Sequence, residues 1–199
     1  MPSEISLAFI SNPAAQVVGF ISLVFALLSF QQKGRFRIML FQVIASLTYS
    51  LQYFMMGAIV GGCLDLISFG RTVVFSQRET KRWARSGWWL VLFVLLLGAA
   101  GVITGFMSSE EHSWGGRLFW INILAIAGAL LSTVALWMRD GGLIRLISLF
   151  VGPCWIIYNT VVGSYFGVLS EAIAMISIIV GIIRYDIIGK KKKTKRSIS

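Results

Sequence analysis

The chain has 199 residues, of which 57% are hydrophobic and 13% charged, with a mean hydropathy of +0.81. That balance excludes an ordinary soluble domain, where about a quarter of the residues carry charge, and leaves a polytopic membrane protein. The net charge of +10 does not point to nucleic acid, because the basic residues gather at the ends of apolar runs.

Seven mostly apolar runs of about 18 to 22 residues follow one another, each able as a helix to span roughly 30 Å of hydrocarbon. They are Pro13–Phe30, Phe36–Met56, Gly57–Ser76, Trp88–Met107, Leu118–Met138, Gly142–Val162 and Ser164–Arg184. The second and third runs meet at Gly57 and the last two at Gly163, so both connections must be very tight. The first run is expected to remain as a helix and not to be cleaved as a signal peptide, since no basic segment precedes it.

With seven spans, 17 of the 18 Lys and Arg fall on one side of the membrane and only Arg117 on the other. The positive-inside rule then predicts an external N-terminus and a cytoplasmic C-terminus. The tail after Arg184, with its "KKKKTKR", is either a solvated anchor near anionic lipid headgroups or a dedicated binding segment, and its composition favours the anchor. Cys63 and Cys154 lie within apolar runs without CxxC spacing and read as small core residues, not as a disulfide or metal site. His112, beside Glu110 and Glu111 in a short external loop, reads as a solvated histidine. No GxSxG, HExxH, Walker loop or His/Cys cluster is present, so neither an enzyme nor a cofactor or metal is expected.

An offset of 106 residues reveals an internal repeat. It lays "GAIVGGCLDLISFGRTVVFSQR" over "GSYFGVLSEAIAMISIIVGIIR", matching Gly57 with Gly163, Gly61 with Gly167, Asp65 with Glu171 and Arg78 with Arg184. In the preceding run Gln42, Ser46, Tyr49 and Tyr53 recur at i, i+4, i+7 and i+11 and so share one helix face; their counterparts are Ser148, Gly152, Trp155 and Asn159. Further back, Gln16 falls on Asn122. The repeat unit is three helices, and the fourth run between the units restores their common orientation. The expected domains are 13–76 and 118–184 as the two repeats, 88–107 as the linker helix and 185–199 as the basic cytoplasmic tail.

This all-α, three-plus-one-plus-three arrangement resembles the SWEET sugar transporters and the wider PQ-loop group. The whole chain, with its short apolar spans, basic first turn and short second turn, is similar to the bacterial YgjV inner-membrane family. The resemblance implies an inner-membrane protein that moves a sugar-like or other small solute by alternating access. It departs from the SWEET pattern in its prolines: Pro13 and Gln16 stand apart in "NPAAQ", and Pro153 in the sixth run faces Leu47 in the second. Pro153 removes a backbone donor and is the expected hinge.

Asp65 lies eight residues beyond Gly57, about 12 Å along a helix and close to the bilayer midplane, and Glu171 lies equally deep from Gly163. Asp65 shares its face with Gly61, Ser68 and Thr72, and Glu171 with Gly167 and Ala174, so both faces should point towards other helices or a cavity. Two nearby carboxylates in such a setting invite a proton or a cation. The bland alternative is that each fixes helix packing through polar partners; the symmetry of the pair favours a substrate or proton site. Tyr49, Tyr53, Trp155 and Asn159 are its candidate lining, while Gln16, Asn122 and Gln42 are secondary polar positions, Gln16 and Asn122 reading as cross-helix bonds. Arg71 and Arg145 are expected to snorkel towards the cytoplasmic side. The competing readings are a non-transporting scaffold or receptor-like module and, less favoured, an ion pathway. A homo-oligomer is compatible with the sequence, which does not require one.

Overall fold

The peptide groups of an apolar run have no water to bond in hydrocarbon, so the run satisfies them within itself by becoming a helix. The computed structural model describes residues 12–31, 35–78, 80–107, 117–138, 140–183 and 187. Within them are α1 (Pro13–Gln31), α2 (Arg35–Met55), α3 (Ile59–Ser76), a 3₁₀ turn (Trp83–Arg85), α4 (Trp88–Met107), α5 (Arg117–Trp137), α6 (Gly141–Val162) and α7 (Tyr165–Gly181). Each expected run has become one helix. The loop with Glu110, Glu111 and His112, the basic residues Lys33, Arg139 and Arg184, and the tail beyond Ile187 lie outside the described residues.

Helix ends follow local chemistry. Asn12 precedes Pro13 and caps α1, its Oδ1 accepting from the Ala15 amide at 3.0 Å, while its Nδ2 donates to the Met55 carbonyl at 2.7 Å and ties the start of α1 to the end of α2. Asp140 caps α6 by accepting from the amides of Gly142 and Leu143. Gly57 and Gly163 both adopt the left-handed region, with φ of 72° and 81°, and turn the chain from α2 into α3 and from α6 into α7.

Consecutive helices pack in antiparallel fashion, and α1 also contacts α7 while α3 contacts α5. Two groups, α1–α3 and α5–α7, therefore meet along two seams, with α4 resting on α3 and α5. Small residues such as Ala15, Ala125 and Ala129, all fully buried, let the backbones approach. Between the groups stand Tyr53, Trp155 and Tyr158, with Tyr53 stacked on Trp155 at 6.4 Å and Tyr158 edge-on to both. Large apolar side chains, among them Leu95, Phe150 and Ile176, face outward, as contact with lipid requires. At one end the Arg78 guanidinium lies 3.6 Å over the Trp137 ring and donates to the Trp137 carbonyl, joining the ends of α3 and α5.

Among the described residues three segments are both long and apolar enough to cross a membrane: Ile59–Ser76, Phe119–Trp137 and Gly142–Val162. Pro13–Leu28, Trp88–Ile103 and Tyr165–Gly181 are apolar but shorter. Helix α2 is less apolar because Gln42, Ser46, Thr48, Tyr49, Ser50, Gln52 and Tyr53 interrupt it, and most of these point into the protein.

Gly57 tests the tight turn in isolation, since a Cβ added there would meet no atom within 4 Å. Gly57→Ala is expected to cost about 1–2 kcal/mol through the left-handed backbone alone. Reversible denaturant unfolding in detergent micelles measures it; an unchanged midpoint would show that the turn relaxes.

Candidate functional site

The face of α2 that carries Gln42, Ser46, Tyr49 and Tyr53 turns towards α3, α6 and α7, as its spacing requires. With Asp65, Ser68, Arg71 and Thr72 of α3, Val151, Trp155 and Asn159 of α6, and Gly167, Ser170 and Glu171 of α7, it encloses a cavity of about 280 Å³. Ala26 and Ser132 complete the wall. Exposed Gln42 stands at the mouth, towards the end of the molecule where α1 joins α2; Tyr53 and Asn159, 3% and 2% exposed, stand at the deep end.

Beyond that deep end the two groups are bonded together. Tyr53 Oη donates to Asn159 Oδ1 at 2.5 Å, between residues 106 apart. The Gly61 amide donates to Tyr158 Oη at 2.8 Å. That N–H belongs to the first turn of α3, where Ala58 offers no side-chain cap, so a hydroxyl from the other group satisfies a donor that the helix leaves unpaired. A Cβ on Gly61 would lie 2.6 Å from the same hydroxyl, which makes glycine necessary at this approach. Gln16 Nε2 donates to the Gly163 carbonyl at 3.0 Å, Ser164 Oγ to Gln52 Oε1 at 3.3 Å, and Tyr49 Oη to the Phe166 carbonyl at 3.4 Å. Gln16 Oε1 and Gln52 Nε2, one acceptor and one donor, are buried there without a partner. At about 1–3 kcal/mol each, such groups oppose the closure that the other bonds favour.

The cavity itself carries three ionisable groups. Asp65 and Glu171 are each the seventh residue of their helix. Both are half-buried, and their carboxylates make no hydrogen bond among the described residues. Glu171 lies within electrostatic range of Asp65, and Asp65 within range of Arg71. Ser46 Oγ bonds to the backbone carbonyl of Asp65 at 3.1 Å and leaves its side chain to the cavity. Arg71 is only 5% exposed. Its Nη1 donates to the Ala129 carbonyl at 3.2 Å, to Ser132 Oγ at 2.9 Å and to Thr133 Oγ1, while its Nε is buried without a partner.

Six of the residues singled out from sequence, Tyr49, Tyr53, Asp65, Trp155, Asn159 and Glu171, thus share one wall, and Gln42 joins them at the rim. Gln16 lies outside the cavity, in a cross-helix bond. Asn122 is half-buried on α5 and also outside it. Pro153 is exposed on α6, which continues through it from Gly141 to Val162. The expectation for Arg71 fails: it turns inward to α5 and does not snorkel. Its position three residues after Ser68 and ten after Gly61 puts it on the buried stripe of α3, the signal that counting helical turns from Gly61 would have supplied. Tyr158 and Gln52 escaped notice because each adjoins a residue already assigned to the cavity face.

A model of a bacterial inner membrane protein family, Imp-YgjV, matches residues 13–187. The inner membrane protein YgjV of Escherichia coli (strain K12) is 25% identical over 171 residues, a stretch covering 86% of this chain and 84% of that protein. No solved structure matches. The family match takes in all seven helices and every residue of the cavity wall, and the chain belongs to the YgjV family of bacterial inner membrane proteins.

Proposed function

We propose that the protein is a carrier for a small solute, with the Asp65–Glu171 cavity as its central site. The observation that carries this reading is a cavity with two unbonded mid-helix carboxylates, reached from one end and closed at the other by bonds between two helix groups. A carrier needs a site exposed to one side at a time, and hydrogen bonds at about 1 kcal/mol each make a closure that can be broken and remade. Gln16 Oε1 and Gln52 Nε2, buried without partners, gain water when that end opens.

In this reading all seven helices cross the membrane as two parallel three-helix repeats around the linker α4, as in the SWEET-like arrangement. Support comes from the 106-residue offset, which exchanges the two inter-group seams α1·α7 and α3·α5 as well as the two left-handed glycines. The placement of basic residues makes the α1–α2 end cytoplasmic, so the mouth faces the cytoplasm. A cavity near the lower limit of the roughly 300–1,000 Å³ usual for ligand pockets suits a small metabolite. Two carboxylates without bonded partners offer a seat for a co-transported proton.

Two measurements test this. In proteoliposomes, Asp65→Asn and Glu171→Gln are each expected to lower solute uptake at least tenfold and to abolish its dependence on a pH gradient; full uptake by the double variant would reject the site. For the closure, a double-mutant cycle of Tyr53→Phe with Asn159→Leu is expected to give a coupling of about 1 kcal/mol in detergent unfolding, and additive effects would show that the bond holds nothing together.

A further inference from the structure

Asp65, Glu171 and Arg71 set an electrostatic problem that the fold solves only in part and a neutral solute does not solve: two carboxylates share a cavity with one guanidinium. Asp65 and Arg71 lie on the same helix six residues apart, about 9 Å along its axis, and line the same cavity within electrostatic range of each other without forming a hydrogen-bonded ion pair among the described residues. The guanidinium is held by neutral oxygens of α5 through Nη1 alone. Groups of this kind cost several kcal/mol in a low-dielectric interior unless a counter-charge reaches them. A sugar would offer only hydroxyls. A divalent metal would find two carboxylates beside a like-signed guanidinium, and no group of three His, Cys, Asp or Glu side chains that could hold a metal occurs among the described residues.

We infer that the cavity takes a small zwitterionic solute, whose carboxylate pairs with Arg71 and whose ammonium lies between Asp65 and Glu171. This rests on the reading of the cavity as a solute site and names the class of solute. A planar fork suits Arg71, since guanidinium and carboxylate match with two parallel bonds. Asp65 and Glu171 approach from opposite helix groups, so an ammonium between them links the groups, and a proton serves as its substitute when the solute has left. The aromatic faces of Tyr49, Tyr53 and Trp155 line the space between and favour a cation on that side. Tyr53 is committed to Asn159, which leaves the ionic groups to provide the recognition.

The test is thermal unfolding of the purified full-length protein in detergent, with the 20 standard amino acids, γ-aminobutyrate and glycine betaine each at millimolar concentration. At least one zwitterion is expected to raise Tm by several degrees, while its amide, its N-acetyl derivative and glucose do not. Stabilisation by glucose or by a singly charged derivative alone, or by no zwitterion, overturns the inference. Arg71→Gln removes three bonds to α5 and can fail to fold, so the informative variants keep the packing. Arg71→Lys, which retains charge but not the fork, is expected to weaken the zwitterion at least tenfold. Glu171→Gln is expected to reduce the preference for the zwitterion over its N-acetyl form at least tenfold. Wild-type affinity in both variants assigns binding elsewhere and also overturns it. Uptake into proteoliposomes separates the two readings: a zwitterion bound but not moved rejects transport alone, whereas glucose moved without zwitterion binding rejects this inference alone.

Discussion

The hydrogen bond from Tyr53 to Asn159 joins two residues 106 apart in the chain, one on α2 and one on α6, and so ties the α1–α3 group to the α5–α7 group. Each sits on the inner face of the middle helix of its group, and at 3% and 2% exposure neither can exchange this partner for water. The contact therefore fixes how far apart the middle helices stand at that level. Towards the Gly57 and Gly163 turns the helices come close enough for Tyr158 to reach the Gly61 amide and Gln16 to reach the Gly163 carbonyl. Towards the other end α3 stays joined to α5 through Arg71 and through Arg78 on Trp137, and the cavity lies between α2, α3, α6 and α7. The Tyr53–Asn159 pair thus separates a tightly bonded end from the part of the interior that holds the cavity.

The chemistry of the cavity wall is unusual. Polar groups on both sides of that pair are mostly bonded to one another or to backbone, and the Asp65 and Glu171 carboxylates in the cavity stand out by making no hydrogen bond among the described residues. Asp65 illustrates the point: its backbone carbonyl is taken by Ser46 Oγ, and its carboxylate makes no bond among the described residues. An unbonded carboxylate at mid-helix is costly, and here it faces a cavity lined by Ser, Thr, Tyr and Arg side chains, the setting on which the proposed solute site rests. The arginine follows a related logic. Held by α5 through one nitrogen, it is positioned within electrostatic range of Asp65 without a bonded carboxylate.

Much of this was legible in the residues. Hydrophobic run length predicted the seven α-helices among the described residues, because an apolar run must satisfy its peptide groups within itself wherever water is excluded. The turns at Gly57 and Gly163 were legible because a connection of so few residues needs the left-handed region, which glycine enters freely. The carboxylates were found as charges in apolar runs, and the repeat brought them together. What escaped was of another kind. Arg71 resembled the other arginines near helix ends, and only its angular position on α3 separates an inward guanidinium from one that snorkels. Tyr158 and Gln52 could not be read from periodicity, since their roles arise from contacts between groups: Tyr158 completes the first turn of α3, and Gln52 receives Ser164.

Under the proposed carrier function, the same geometry ties recognition to conformational change. Asp65 belongs to the first group and Glu171 to the second, whereas Arg71 belongs to the first but is bonded to α5 of the second. A solute bridging these side chains therefore acts across the seam and not within a rigid body. Its binding energy can do work on the relative position of the groups only if it differs between the two arrangements. Charges supply that difference readily, because their interaction changes steeply over a few ångströms in a medium poor in water. Neutral hydrogen bonds at the far end, each worth about 1 kcal/mol, are of the right size to be overcome by it. Strong, distance-sensitive groups line the cavity and weak, reversible ones lie beyond its deep end, and it is on this division that the proposed carrier function rests.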